Sequence, residues 1–308
     1  MWHGILIINK ERGMTSHQVV AGLRRILKQS EAGHTGTLDP EATGVLVVGL
    51  GQATRSFSFL DEGCKVYRAE IILGQSTDTQ DATGQVIQEK PDTRVTLGAL
   101  QKAIAGLTGI TNQIPPMFSA VKIHGQKLYD LARKGITIDR TPRVIDVAKW
   151  EVLNPQNTYG FRESVFVEIT CSKGTYIRTL IDDLGTSLGT GAHMGSLVRL
   201  CSGKFTLDHA LTISEIEKHL QAGTLNSQLI TLGEALDHLL SLQPSPEDVS
   251  KALHGGKISF QKFPCQSPPG SLAKLLDNSL QVVAVVQLMP DSTGTYLYWQ
   301  PIKVFNYV

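Results

Sequence analysis

The chain reads as an α+β protein built on a mixed, mostly antiparallel sheet, with a small β domain at its C-terminal end. Three observations predict this. Stretches of period-two alternation, Lys65–Leu73 and 163–171, are interspersed with stretches of helical period at 96–107 and 179–188, without the regular βαβ alternation of a parallel sheet. Residues 45–50 form a continuous apolar run of the kind a buried strand carries. Near Leu240 the composition shifts to SLQPSPED, a Pro/Ser-rich connector, and the tail beyond it has two more strand-like stretches. At 308 residues the chain accommodates a large domain over 1–240 and a small one over 241–308.

The elements follow in order. The opening MWHGILIINKERG has a short apolar segment with no basic region before it and no small-residue cleavage site, so a strand is expected, and a cytoplasmic protein. In residues 15–29, Val19, Val20, Leu23, Ile26 and Leu27 recur at helical spacing. Thr15 or Ser16 is the N-cap, and Arg24, Arg25 and Lys28 complement the dipole at the far end. Next comes GHTGTLDPEATG. Gly33, Gly36 and Gly44 supply backbone freedom, and Pro40 pushes Asp39 out of the helical region, so the acid is held on a tight turn just before the buried strand. Asp before Pro is also ordinary turn chemistry. Residues 115–135 suit a loop that reshapes. Pro115, Pro116 and Gly125 break regular structure, Met117, Phe118 and Tyr129 are able to stack on bases, and Lys122, His124, Lys127, Arg133 and Lys134 face only Asp130 as an acid. In the tail, PCQSPPG is a loop, and 281–288 and 295–305 are strands.

Composition narrows the function classes. Hydrophobic residues make up 41% and charged residues 19%, and no apolar run approaches the roughly 18 residues of a membrane span. Cys64, Cys171, Cys201 and Cys265 have no CxxC spacing and no His partner, which argues against a disulfide framework and a zinc site and for reduced, mostly buried thiols. Net charge is only +1, yet 115–178 holds ten Lys/Arg against six Asp/Glu, a patch compatible with phosphate contacts or with a solvated face. GLGQAT at 49–54 follows a strand but lacks the third glycine of a dinucleotide loop.

Four strings together carry a family resemblance. GHTGTLDPEATGVLVVGLGQATR resembles motif II of the TruB-type pseudouridine synthases, KVYRA resembles their KxYxA strand, and CSKGTYIRTL resembles their later arginine motif. PPMFSAVKIHGQKLY is similar to their mobile RNA-binding insertion. ALHGGKI, AVVQL and PIKVF resemble, more weakly, the PUA-like extension of the bacterial branch. The resemblance implies isomerisation of uridine to pseudouridine in the T-loop of tRNA (uridine 55) by base flipping, with no cofactor, no metal and no guide RNA. It also implies a monomer that contacts the T-loop and T-stem.

By the same resemblance Asp39 is the catalytic residue, acting as nucleophile or as base, with Arg178 beside it to keep it charged. Tyr67 stacks on the flipped uracil, and its hydroxyl is placed to assist proton transfer at C5; alone it would read as core packing. His34 contacts RNA near the vacated space, or is an ordinary loop histidine. Lys65 is a phosphate or structural contact, or a solvated strand lysine. Leu200 is an apolar wall beneath the uracil, or simple core. Two rival functions share these features, a non-catalytic RNA-binding chaperone and a guide-RNA-dependent synthase. The intact Asp39, Tyr67 and Arg178 oppose the first, and the insertion with the tail opposes the second.

Overall fold

The computed structural model describes residues 1–61, 63–119, 121–123, 125–294 and 296–307, without the side chains of Lys122 and Lys127. The readings placed on His124 and on those two lysine side chains therefore lie outside the described residues.

Along the chain, β1 (Gly4–Lys10) leads to α1 (Ser16–Ile26), β2 (Ala32–His34), β3 (Thr43–Leu50) and β4 (Lys65–Leu73). There follow α2 (Leu97–Gly106), β5 (Gly109–Gln113), β6 (Arg143–Val152), β7 (Ser164–Cys171), α3 (Ile177–Leu188) and β8 (Ala192–Ser202). The main sheet runs β1-β3-β8-β4-β7-β6-β5, and every neighbouring pair on that path is antiparallel except β3 with β8. The architecture is thus the expected α+β arrangement. Its central strand β8 has no counterpart in the sequence reading, because Gly195 and two register shifts, at Met194/Leu197 and Arg199/Cys201, erase its alternation.

The continuous apolar runs of β1 and β3 have a simple cause, burial on both faces. Leu6, Ile8, Leu46 and Val48 enter one core with Val19 and Leu23 of α1 and Ile181 and Leu184 of α3. Ile5, Ile7, Val45 and Val47 enter a second core with Val282, Val285 and Phe305 from the tail. Thr15 caps α1 in a reciprocal box with Gln18, leaving Ser16 free for another task described below.

The tail forms a five-stranded sheet, β9-β11-β12-β13-β10, from β9 (Leu240–Leu242), α4 (Pro246–Leu253), β10 (Ile258–Ser259), β11 (Leu272–Leu276), β12 (Val282–Pro290) and β13 (Leu297–Val304). SLQPSPED is not a bare connector. Leu242 ends β9, Ser245 accepts from Asp248 N–H as an N-cap, and Pro246 opens α4, where its missing N–H is harmless. The insertion is likewise more ordered than a loop. Lys122–Ile123 pairs with Gln126–Lys127, and the short helix Leu128–Ala132 is anchored by the fully buried Leu128. Of the four thiols only Cys171 is buried, whereas Cys64, in the loop before β4, is exposed. Among the described residues no helix is long and apolar enough to cross a membrane.

Candidate active site

The site lies where the sheet splits. β3 pairs with β8 only at Thr43 and Gly44, and with β2 at Val48, Gly49 and Leu50. Between these two pairings the chain leaves as the turn that carries Asp39. Gly44 must be glycine here. Its φ is +97°, and a Cβ would stand 2.3 Å from the Arg199 carbonyl oxygen. Of Gly33, Gly36 and Gly44, only Gly44 adopts positive φ. At Gly36 a Cβ would lie 3.2 Å from Lys65 Nζ, a close but not forbidden approach.

The backbone of the turn is tied down from four directions. Ser16 of α1 accepts from Leu38 N–H at 2.9 Å and donates to Leu38 O at 3.1 Å. Ala42 N–H donates to Asp39 O. The buried Lys10 donates from Nζ to Pro40 O at 3.0 Å and to Met14 O at 2.7 Å, and Gly13 N–H also reaches Pro40 O. Arg199, only 2% exposed, fills the split itself: Nε donates to Val45 O at 2.7 Å, Nη2 to Gly36 O at 3.1 Å and Nη1 to Thr37 O at 3.4 Å. Orphaned carbonyls inside a protein are costly, and one guanidinium satisfies three of them.

The carboxylate of Asp39 meets Arg178 as the sequence expectation requires. Arg178 Nε lies 3.0 Å from Oδ2, and Nη2 lies 3.3 Å from Oδ1. Arg178 is only 5% exposed, in the first turn of α3. Gln113 of β5 fixes that helix end by donating to Tyr176 O and accepting from Tyr176 N–H. The guanidinium is shared. Nη1 donates to Thr79 O at 3.1 Å and stands 3.5 Å from Asp81 Oδ2, and Nη2 donates to Phe118 O of the insertion at 2.9 Å. Asp39 keeps 38% of its side-chain surface open, so the acid is held from one side and free on the other.

Tyr67 lies on the face of β4 that also carries Lys65 and Ala69, opposite Arg199 of β8. It is 7% exposed. Burial raises its pKa, an effect the Arg199 charge opposes and the Asp39 charge reinforces, so the phenol keeps its proton at neutral pH. Lys65 is buried beside Gly36, which removes the solvated-lysine reading. His34 ends β2, with a buried Nδ1 that has no protein partner and its ring set edge-on to His17 at 5.3 Å. Burial first, then the charges of His17 and Arg199, lower its pKa, so the imidazole is neutral at pH 7.

Leu200 is half-buried at the β8 irregularity, out of register with Tyr67. The leucine of β8 that faces Tyr67's neighbour Ala69 is Leu197. Arg133 and Lys134 are exposed on the insertion, Arg133 over the Tyr129 ring at 5.5 Å. Sequence reasoning missed Lys10, Ser16, Asp81 and Arg199. Asp81, in STDTQDATG, had the clearest available signal, an acid in a run of turn residues. Among the described residues no group of His, Cys, Asp and Glu is placed to hold a metal ion.

Comparison with known proteins places the chain in one family. Residues 24–177 match the TruB family pseudouridylate synthase N-terminal domain, and residues 178–242 match the tRNA pseudouridylate synthase B C-terminal domain. The junction of the two family domains falls within the first turn of α3, so both contribute to the one main sheet. A protein of Bacillus cytotoxicus named tRNA pseudouridine synthase B is 41% identical over 98% of this chain and 96% of its own length. One of the same name from Bacillus licheniformis is 44% identical over 78% of each chain. Among solved structures, a Cbf5-Nop10-Gar1 complex contains a chain that superposes with a TM-score of 0.72 at 26% identity, covering 99% of this chain and 84% of that one. With an acid held against a buried arginine at the end of a split sheet, and relatives of one name along nearly its whole length, the chain belongs to the TruB family of pseudouridylate synthases.

Proposed function

We propose that the protein isomerises uridine to pseudouridine in tRNA, at uridine 55 of the T-loop, without a guide RNA and with Asp39 as the catalytic carboxylate. The carrying observation is the Asp39–Arg178 pair at 3.0 Å, on a turn whose neighbouring carbonyls at 36, 37, 38, 39 and 40 all accept hydrogen bonds. The names of the tRNA-acting relatives supply the substrate class.

The reaction breaks the N1 glycosidic bond, turns the uracil within the site and joins C5 to the same sugar carbon. The C5 proton is lost and N1 is reprotonated, with no change in redox state. Asp39 serves as nucleophile toward the nucleoside or as the base that takes a sugar proton in a glycal-type route, and both roles use its open oxygens. Arg178 holds the carboxylate in a planar two-point grip that a lysine cannot reproduce. Tyr67 offers a ring for the flipped base and a protonated hydroxyl near C5. His34, a neutral imidazole, contacts the RNA near the space the flipped base vacates. Lys65 braces the turn from beneath, Leu200 serves as an apolar wall beneath the uracil, and the basic insertion with Lys122, His124, Lys127, Arg133 and Lys134 closes on the T-stem. The tail adds PUA-like RNA contacts, and the enzyme works as a cytoplasmic monomer.

A guide-dependent reading has one observation in its favour, the likeness to the chain in the Cbf5-Nop10-Gar1 complex. One assay separates the two. Purified protein alone is incubated with an unmodified tRNA transcript, and pseudouridine is mapped by carbodiimide-stop sequencing. A single stop at position 55 is expected. Conversion that begins only when a guide RNA is added would overturn the reading.

A further inference from the structure

Gln80 lies in the loop between the strands Gln75–Thr77 and Val86–Glu89, and its backbone is left-handed at φ +65°. A glutamine rarely adopts that conformation unless its surroundings impose it. The imposing contacts are visible. Gln80 N–H donates to Thr77 O, Gln80 O accepts from Met194 N–H of β8, and the side-chain amide spans α3: Nε2 donates to Asp182 Oδ2 at 2.9 Å, while Oε1 accepts from Thr179 Oγ1 at 2.8 Å. The hydroxyl donor and carboxylate acceptor fix which end of the amide points where.

The residues on either side of Gln80 are those that hold the arginine. Thr79 supplies the carbonyl that accepts from Arg178 Nη1, and Asp81 supplies the second carboxylate beside it. Rotation about φ of Gln80 swings the Thr79 carbonyl relative to Asp81. The clamp on α3 falls on Thr179, next to Arg178, and on Asp182, one turn further along. Loop and helix are thus locked together beside Arg178.

On the reading of Asp39 and Arg178 as the catalytic pair, we propose that Gln80 is a positioning residue: its amide clamps the Thr79–Asp81 loop onto α3 and so fixes the angle at which Arg178 presents to Asp39. The Gln80 amide is spent on Asp182 and Thr179 of α3, so its contribution is to the chemical step and not to affinity. Burial raises the Asp182 pKa and the Gln80 amide opposes that rise, in keeping with a designed donor–acceptor pair.

The test uses the full-length protein and unmodified tRNA transcript under single-turnover conditions with saturating enzyme, together with tRNA Kd and Tm. Gln80→Ala and Gln80→Gly should each slow conversion about tenfold with Kd within about twofold of wild type. Gly relieves the backbone conformation yet lacks the amide, so equal loss in both assigns the effect to the side chain. Gln80→Glu sets two carboxylates against each other and should be at least as slow. Combining it with Asp182→Asn restores one donor and one acceptor across the gap and should return the rate to within about threefold of wild type. Folded Gln80→Ala and Gln80→Glu at near wild-type rate would overturn the proposal, as would a double variant no faster than Gln80→Glu. An inactive wild type on the same transcript would instead refute the proposed function and leave the clamp to be read from Tm alone, where Gln80→Glu without rescue by Asp182→Asn counts against it.

Discussion

Arg199→Met is the sharpest test of how the turn is built. Methionine approximates the length of the stem, so the substitution removes the donors and charge with little change in packing. Val45 O and Gly36 O lose short bonds of 2.7 and 3.1 Å, and Thr37 O loses a weak one at 3.4 Å. Stranding a buried acceptor costs about 1–3 kcal/mol, so the two short bonds set a loss of about 2–6 kcal/mol. Removing a charge that is only 2% exposed offsets part of this, leaving about 3 kcal/mol. For a chain of this size that corresponds to a Tm decrease of about 4–5 °C. The rate should suffer more than stability, because Asp39 sits two residues beyond Thr37, and an ångström of misplacement costs on the order of a hundredfold. Arg199→Lys keeps one donor group and should fall between the two. Calorimetry gives the Tm, and single-turnover conversion of tRNA at saturating enzyme gives the rate. A folded Arg199→Met with Tm within 1 °C of wild type and a rate within about threefold would refute the bracing role.

Asp39→Asn keeps side-chain size but removes the charge both routes use, so product should vanish while tRNA binding persists; near wild-type conversion would remove Asp39 from the mechanism. Lys10 gives a pH signature. Burial lowers its pKa from 10.5 to about 8, so between these values the unfolded chain holds a proton the folded chain has lost, and its contribution to stability rises with pH. Over that window the neutral amine has two N–H donors for three carbonyls, so the single-turnover rate should fall above about pH 8; an unchanged fall in Lys10→Met would assign it to another group. Cutting after Leu240 removes Val282, Val285 and Phe305 from the core they share with β1 and β3, a loss of roughly 5–9 kcal/mol at about 1.5–3 per side chain; a truncated protein as protease-resistant as the whole would contradict this. Residues 115–135 should gain hydrogen-exchange protection when tRNA binds, and equal protection in a demonstrated complex would show that the insertion does not close on RNA.

Asp39 was legible because its turn chemistry and its flanking strand are contiguous in sequence. Arg178 and Tyr67 were legible through local strings of the same kind. Arg199 was not, since its acceptor Gly36 lies 163 positions away and nothing local distinguishes it from a surface arginine. Lys10 and Ser16 escaped notice for the same reason, their partners being Pro40 and Leu38 across a helix and a turn. Leu200 sits at a register shift. A one-residue irregularity in β8 shifts which side chain meets which neighbour, and no periodicity announces it. SLQPSPED misled because Ser and Pro mark loops and helix starts alike, and only the following turn of helix decides between them.

The central position of β8 has a consequence for biosynthesis. β3 is complete at residue 50, but its parallel neighbour starts at residue 192, about 140 residues later. At roughly 5–20 residues per second, a nascent chain waits roughly 7–30 s with the edge of β4 and the Thr43–Gly44 end of β3 lacking their β8 partner. During that interval no strand bridges β3 and β4, and open edges of this kind invite pairing with other chains. Closure and catalytic competence then arrive in one event, when β8 threads between its neighbours and delivers Arg199 to the turn. A ribosome-bound chain shorter than about 200 residues outside the exit tunnel carries Asp39, Tyr67 and Arg178 and still lacks the strand that holds them in place.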